Sequence, residues 1–203
     1  MRFQRLTRLG LFMLLLTGAM MARAGAQIIG VVTGLSGSAT VQHAGGNGSE
    51  PLALNKEVQQ GDTLRTGSGA RVRVTLRDST VLSLGADTEL RLDHLAVSAP
   101  PADVGSLFTL GGGFLRTVVG RLQPGSRFEI HSPSMVAAVR GTDWIESYSD
   151  GTTELFVAAD RVLATSPVNA TDWALLGPGE GVSFKVGSPH TPVIRWGQEK
   201  INR

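Results

Sequence analysis

The sequence predicts an all-β fold of short antiparallel strands and hairpins, arranged as a β-sandwich or a short β-solenoid-like roll. Three observations carry that expectation. Valine, threonine and leucine recur in short runs that alternate with polar residues, as in "RVRVTL" at 71–76, the period of a strand with one buried face. Twenty-six glycines punctuate those runs at turn positions. No window sustains a period near 3.6, so no amphipathic helix is expected.

The first segment stands apart from that pattern. Arg2, Arg5 and Arg8 precede the apolar stretch "LGLFMLLLTGAMMA", and small residues follow in "ARAGAQ", the order of a secretory signal peptide spanning 1–26. A membrane anchor is the competing reading, but Gly10, Thr17 and Gly18 interrupt the run, which is shorter than the roughly 18 apolar residues of a spanning helix. Cleavage after Ala26 starts the mature chain at Gln27, and cleavage after Ala24 also satisfies the small-residue rule. Four arginines and no acid leave with the segment, so the formal charge of +2 becomes slightly acidic.

The mature chain reads as one β domain over 27–187 with a tail at 188–203. "IIGVVTGLSGSATVQHA" predicts a hairpin over 28–43, and "AGGNGSEP" a loop. Turn residues follow at Gly61-Asp62, Gly67 to Gly69, Asp78-Ser79 and Ala86-Asp87, making a meander in which Val72, Val74, Leu76, Leu82 and Leu84 face inward. "SAPPADVG" divides the domain into halves 27–97 and 105–187, a weak pseudo-repeat. Beyond it, "LFTLGGGFLRTVV" predicts strand, Gly111-Gly112 turn, strand, and "RFEIHSP" sets Phe128 and Ile130 on one face. "SYSDGTTELFVAADRVLATS" predicts two hairpin links, the first at Asp150-Gly151, and "WALLGPGEGVSFKVG" a Pro-Gly hairpin with Val182, Phe184 and Val186 aligned. The tail from Ser188 should run over the surface.

Composition excludes several functions. There is no cysteine, hence no disulfide framework, thiolate metal site or cysteine nucleophile. No Lys/Arg cluster follows the leader, so no nucleic acid partner is expected. His43, His94, His131 and His190 lie far apart, at no metal-ligand spacing. Glycoside hydrolysis needs two carboxylates facing one cleft, and although Asp62, Asp87, Glu89, Asp143 and Glu146 are available, Asp62 and Asp87 sit at turns where Asp caps the backbone. No nucleophile elbow, phosphate loop or dinucleotide fingerprint occurs. The reading is non-enzymatic, with no cofactor and no metal.

One stretch resists the simple alternation. In "AAVRGTDWIE", 137–146, Val136, Ala138 and Arg140 fall on one face, and a charged arginine among apolar residues is costly unless paired. A bulge at Gly141 flips the phase and frees Arg140 for Asp143, a turn aspartate or backbone, or for a ligand. Arg140, Gly141, Thr142, Asp143 and Trp144 are therefore candidates for a structural or partner-contacting motif.

The ordered set "GVVTGLSGSATVQ", "GDTLRTGSGARVRVTLRDSTVLSLGADTELRL", "LGGGFLRTVV", "FEIHSPSMVAAVRGTDW", "SDGTTELFVAADRVLATS" and "LLGPGEGVSF" resembles a FecR domain over nearly all the mature chain. Its most recognisable parts are the turn motif of Gly61, Asp62, Thr66 and Gly67 and the Ser-Pro to Val-Arg-Gly-Thr segment. The resemblance implies an all-β extracytoplasmic domain like the outer portion of regulators that relay iron-transport signals from an outer-membrane receptor to a sigma factor. Ser79 and Asp160 stand where the family commonly has glycine. Where those regulators carry a cytoplasmic anti-sigma segment and a membrane helix, this chain has only the signal peptide, and "SPHTPVIRWGQEKINR" is too short for a receptor-docking domain.

The expectation is thus a free-standing, periplasmic or secreted FecR-like domain with no membrane span after cleavage. It would bind an envelope protein, either an outer-membrane receptor or a transmembrane regulator, in signalling or regulation. The alternative is a carbohydrate or peptidoglycan binder facing a cell-surface polysaccharide, for which Trp144, Tyr148, Trp173 and Trp196 are few and scattered.

Overall fold

The computed structural model of the chain describes residues 27–96, 105–120, 122 and 126–197. The expected signal peptide, most of the proline boundary and the end of the tail lie outside the described residues. Strands follow one another as β1 (Ile28–Ser36), β2 (Ala39–Gln42), β3 (Ser49–Pro51), β4 (Glu57–Gln59), β5 (Thr63–Thr66), β6 (Arg71–Leu76), β7 (Val81–Leu84), β8 (Glu89–His94) and β9 (Ser106–Val118). The second half adds β10 (Phe128–His131), β11 (Val136–Val139), β12 (Asp143–Ser149), β13 (Thr152–Ala159), β14 (Val162–Thr165), β15 (Trp173–Leu176), β16 (Glu180–Lys185) and β17 (Ile194–Arg195). The fold is all β, and among the described residues no helix is long and apolar enough to cross a membrane.

The strands form two ladders that share one strand. The first runs β4-β1-β6-β7-β9-β12-β13-β16-β17. The second runs β3-β2-β5-β8-β9-β10-β11-β14-β15. All these pairings are antiparallel except β9 with β10. From β6 onward the chain lays β6-β7, β12-β13 and β16-β17 into the first layer and β8-β9, β10-β11 and β14-β15 into the second, which produces the expected roll. Inward-facing residues of both layers join one core, so each layer keeps one face dry and one wet. At its centre Phe108 stacks on Phe128 at 5.1 Å, and Phe128 meets Trp144 edge-on at 6.1 Å, a geometry that the ring quadrupoles favour.

Strand β9 overturns the expected turn at Gly111-Gly112. It continues for 13 residues. Its first part, with Ser106, Phe108 and Leu110 inward, belongs to the second layer, and its last part, with Leu115 and Thr117 inward, belongs to the first. The glycines switch the inward phase from even to odd positions instead of reversing the chain. Gly113 makes the switch at φ 87°, and a Cβ there would lie 2.5 Å from Thr88 Cα, so only glycine fits.

Three further expected hairpins are corners between layers. β1 pairs with β4 and β6, whereas β2 pairs with β3 and β5, so 28–43 is no hairpin. The links at Asp160 and at Pro178-Gly179 likewise carry β13 to β14 and β15 to β16 across layers. A tight turn and a corner need the same residue types, and partner choice is decided by distant strands that local alternation does not reveal. The hairpins at Asp78-Ser79 and Asp150-Gly151 do form, the second with positive φ at both residues, as a primed turn requires. Val182 and Phe184 are buried but Val186 is 53% exposed. The tail adds edge strand β17, and Trp196 stacks on Phe156 at 5.8 Å, over Gly181, where a side chain would collide with the indole.

Candidate functional site

The stretch around Arg140 is one of the layer corners. Ala137 and Val139 point inward before it, and Thr142, Trp144 and Glu146 after it, so the phase flips at Gly141, whose φ is 120°. Val136, Ala138 and Arg140 line the outer face, which resolves the apparent cost of an arginine among apolar residues. Thr142 fastens the corner: its backbone pairs with Val119 in both directions at 2.9 and 3.2 Å, and its hydroxyl donates to the Arg161 carbonyl at 3.1 Å. Three corners meet here around a shallow depression of about 430 Å³ lined by Arg140, Gly141, Thr142, Asp160, Arg161 and Pro178.

The structure does not bring the five candidates to one surface. Trp144 is fully buried and cannot meet a partner. Asp143 is held by Arg116, not Arg140, through a two-pronged contact of 3.0 Å from Nε and 2.7 Å from Nη2. This bond raises the Arg116 pKa, chiefly through the hydrogen bond itself. Arg140 and its neighbour across the corner, Arg161, are exposed.

The turn motif is structural. The buried Asp62 caps its own turn by accepting the Gln59 N–H at 2.8 Å, and its other oxygen meets His43 Nδ1 at 2.7 Å. His43 Nε2 reaches Glu50 at 2.7 Å, and Lys56 closes the chain on the same carboxylate at 2.7 Å. The histidine pKa is raised, first by Asp62 and then by Glu50. Gly61 N–H bonds the Leu92 carbonyl at 2.6 Å and Gly67 N–H the Ser38 carbonyl at 2.8 Å. Thr66 Oγ1 donates to the Gly85 carbonyl at 2.6 Å and accepts from the Thr88 N–H at 2.8 Å. These residues pin corners together, and nothing in the sequence ties His43 to Asp62.

A carboxyl that sequence reasoning set aside lies in the core. Glu146 is fully buried, opposite Leu115 and Leu155 on the neighbouring strands. The Trp144 indole N–H donates to Oε2 over a long 3.4 Å, and Oε1 has no hydrogen-bond partner. Burial pushes its pKa up to about 8, so it is a neutral acid at neutral pH. With no exposed surface it is a feature of the core.

A second concave surface lies on the outer face of β1, β6, β7 and β9, a groove of about 740 Å³. Arg71 and Arg73 project into it from alternate positions of β6, and Arg116 from β9. Register places Arg73, Ser83 and Arg116 side by side across three strands. Phe114, 40% exposed, supplies an apolar wall. No carboxylate lines the groove. Alternation in "RVRVTL" predicts two outward arginines, but the third and the aromatic come from a strand about forty residues away.

The FecR protein family matches residues 62–163, from the capping aspartate of the turn motif through β14, half of the chain. None of the curated proteins matches. Two crystal structures from Parabacteroides distasonis ATCC 8503, each assigned provisionally as an anti-sigma factor, superpose with a TM-score of 0.57 at 20% identity. Each alignment covers 69% of this chain and 62% of the other, so this chain spans less than two thirds of those relatives, and the likeness is one of fold. A cell surface anchoring domain aligns at 33% identity over 31% of this chain and 82% of its own, with a TM-score of 0.30 that carries no argument. With the layered roll, the capped Asp62 turn and the Arg-Gly-Thr corner all inside or bordering the matched segment, the chain belongs to the FecR protein family.

Proposed function

We propose that the chain is an exported, non-catalytic recognition domain that binds another component of the cell envelope in a signalling or regulatory role. Family membership supports the regulatory part of this reading. The observation that carries the binding part is the groove on the outer face of the first layer. Arg71 and Arg73 project into it with no ion-pair partner among the described residues, while Arg116 beside them is paired with Asp143. Arginine and aromatic side chains sharing one concave surface are the composition of protein interfaces.

The test is cross-linking of a tagged copy in the envelope of the native host, followed by mass spectrometry. A receptor or transmembrane regulator captured by the native chain supports the reading. Capture of no protein above an untagged control refutes it. One observation favours the polysaccharide alternative: Trp173 is 55% exposed, beside Leu175 and Leu163 at 50% and 41%, on the outer face of β14 and edge strand β15. Such a platform can stack on a sugar ring. Sedimentation with purified cell wall that is lost in Trp173→Ala would favour it.

A further inference from the structure

We infer that the arginine groove takes an extended acidic peptide segment of its partner, with carboxylates at alternate positions and an apolar side chain set against Phe114. The inference rests on the reading that the domain binds a protein, and it names the chemistry that protein must present.

Three features of the groove point to that occupant. The first is charge: the lining holds Arg71, Arg73 and Arg116 and no acid. Arg116 spends its fork on Asp143, which leaves Arg71 and Arg73 as forks matched to carboxylates. The second is spacing. Arg71 and Arg73 leave the same face of β6 two residues apart, roughly 6.6 Å along the strand, and carboxylates two residues apart in an extended chain repeat at that distance. Arg116, paired with Asp143, stands beyond Ser83 two strand intervals from Arg73, roughly 9.6 Å, so the unpaired positive charge runs along β6.

The third feature is the wall. Phe114 flanks the track with apolar surface, which an inorganic or lipid phosphate would leave uncovered and a peptide side chain would fill. A free phosphate or headgroup is also better served by convergent donors than by two arginines spaced along one strand. Glycine floors the approach: Gly34 stands opposite Arg73 on β1 and carries no side chain above the sheet. The arginine stems can therefore lie flat beside a docked backbone.

The experiment uses the full chain and a fluorescein-labelled short peptide with aspartates at alternate positions and one phenylalanine. A matched peptide carries asparagine in place of each aspartate, and vesicles of anionic phospholipid form a third probe. Anisotropy should show saturable binding of the acidic peptide, weakened by added salt, and at least about tenfold tighter than the asparagine peptide. Arg71→Ala with Arg73→Ala should lose at least about tenfold in affinity. Arg161→Ala should lose nothing, and all variants should keep the native unfolding midpoint. Because both positions are exposed, Arg71→Gln with Arg73→Gln serves as a second, fold-neutral pair. Equal binding of the two peptides, or undiminished binding by both double variants, overturns the inference. Preference for the vesicles over the acidic peptide overturns it in favour of a phosphate-bearing surface. An envelope partner still captured by the double variant also overturns it, while leaving the broader binding reading intact. Acidic-peptide binding lost in both double variants, together with loss of the envelope partner, upholds it.

Discussion

Replacing Glu146 with glutamine should abolish most of the pH dependence of stability between about pH 5 and 8. The carboxyl sits between Leu115 and Leu155 with one oxygen unpartnered, and burial raises its pKa from 4.5 to about 8. Between those values the unfolded chain has released this proton while the folded chain still holds it. Folding therefore takes up a proton, and stability falls as pH rises, by about 1.4 kcal/mol per pH unit. Below the lower value both states are protonated and above the upper value both are ionised, so the slope ends at each. From about pH 5 to 7 the loss is on the order of 3 kcal/mol, a large share of a typical stability. Glutamine has nearly the same shape and never ionises, so the variant should be the more stable protein above about pH 6. Urea unfolding followed by tryptophan fluorescence, at several pH values and constant ionic strength, measures the slope. A native midpoint that stays flat across the window, or a variant that keeps the native slope, would refute the reasoning.

His43→Gln should remove a smaller dependence. Its folded pKa is raised by Asp62 and Glu50, so the stability it contributes is present below its ordinary value and lost as pH rises through the raised one. Subtracting the variant's urea profile from the native profile isolates it, and no difference on the acid side would count against the pairing. Gly113→Ala combines a left-handed backbone with a Cβ 2.5 Å from Thr88 and should cost more than about 2 kcal/mol. An unchanged chemical-denaturation midpoint would mean that β9 does not bend there. Export with cleavage predicts a mature protein starting at Gln27 or Gly25, checked by intact mass and N-terminal sequencing of the envelope fraction. Recovery of the chain with Met1 to Ala26 attached would contradict it.

Alternation made the β class readable because each strand buries one face: Val72, Val74 and Leu76 alternate inward as "RVRVTL" indicates. Partnership was not readable. The Gly-Leu-Ser-Gly segment and the Asp160 link carry turn residues, yet each passes between layers, since β1 finds β6 and β13 finds β16 far along the chain. The glycine run at 111–113 concealed a phase switch inside one strand, because glycine is equally suited to reversal and to bending. For the candidate residues, Gly141 signalled the phase change, but Asp143 went to Arg116 through a cross-strand register that local spacing does not encode. The outward arginines of β6 were visible as the polar half of an alternation. Their meeting with Phe114 and Arg116 depends on β7 lying between β6 and β9.

The strand shared by both layers also sets an order of assembly. Neither ladder can close until β9 is in place, and its partners β7, β8, β10 and β12 all lie nearby in the chain on either side of it. The earliest native contacts should therefore gather around residues 81–149, with β1 to β5 and β14 to β17 zipping outward afterwards. Because the same backbone carries both registers, a slip in one layer would drag the other with it.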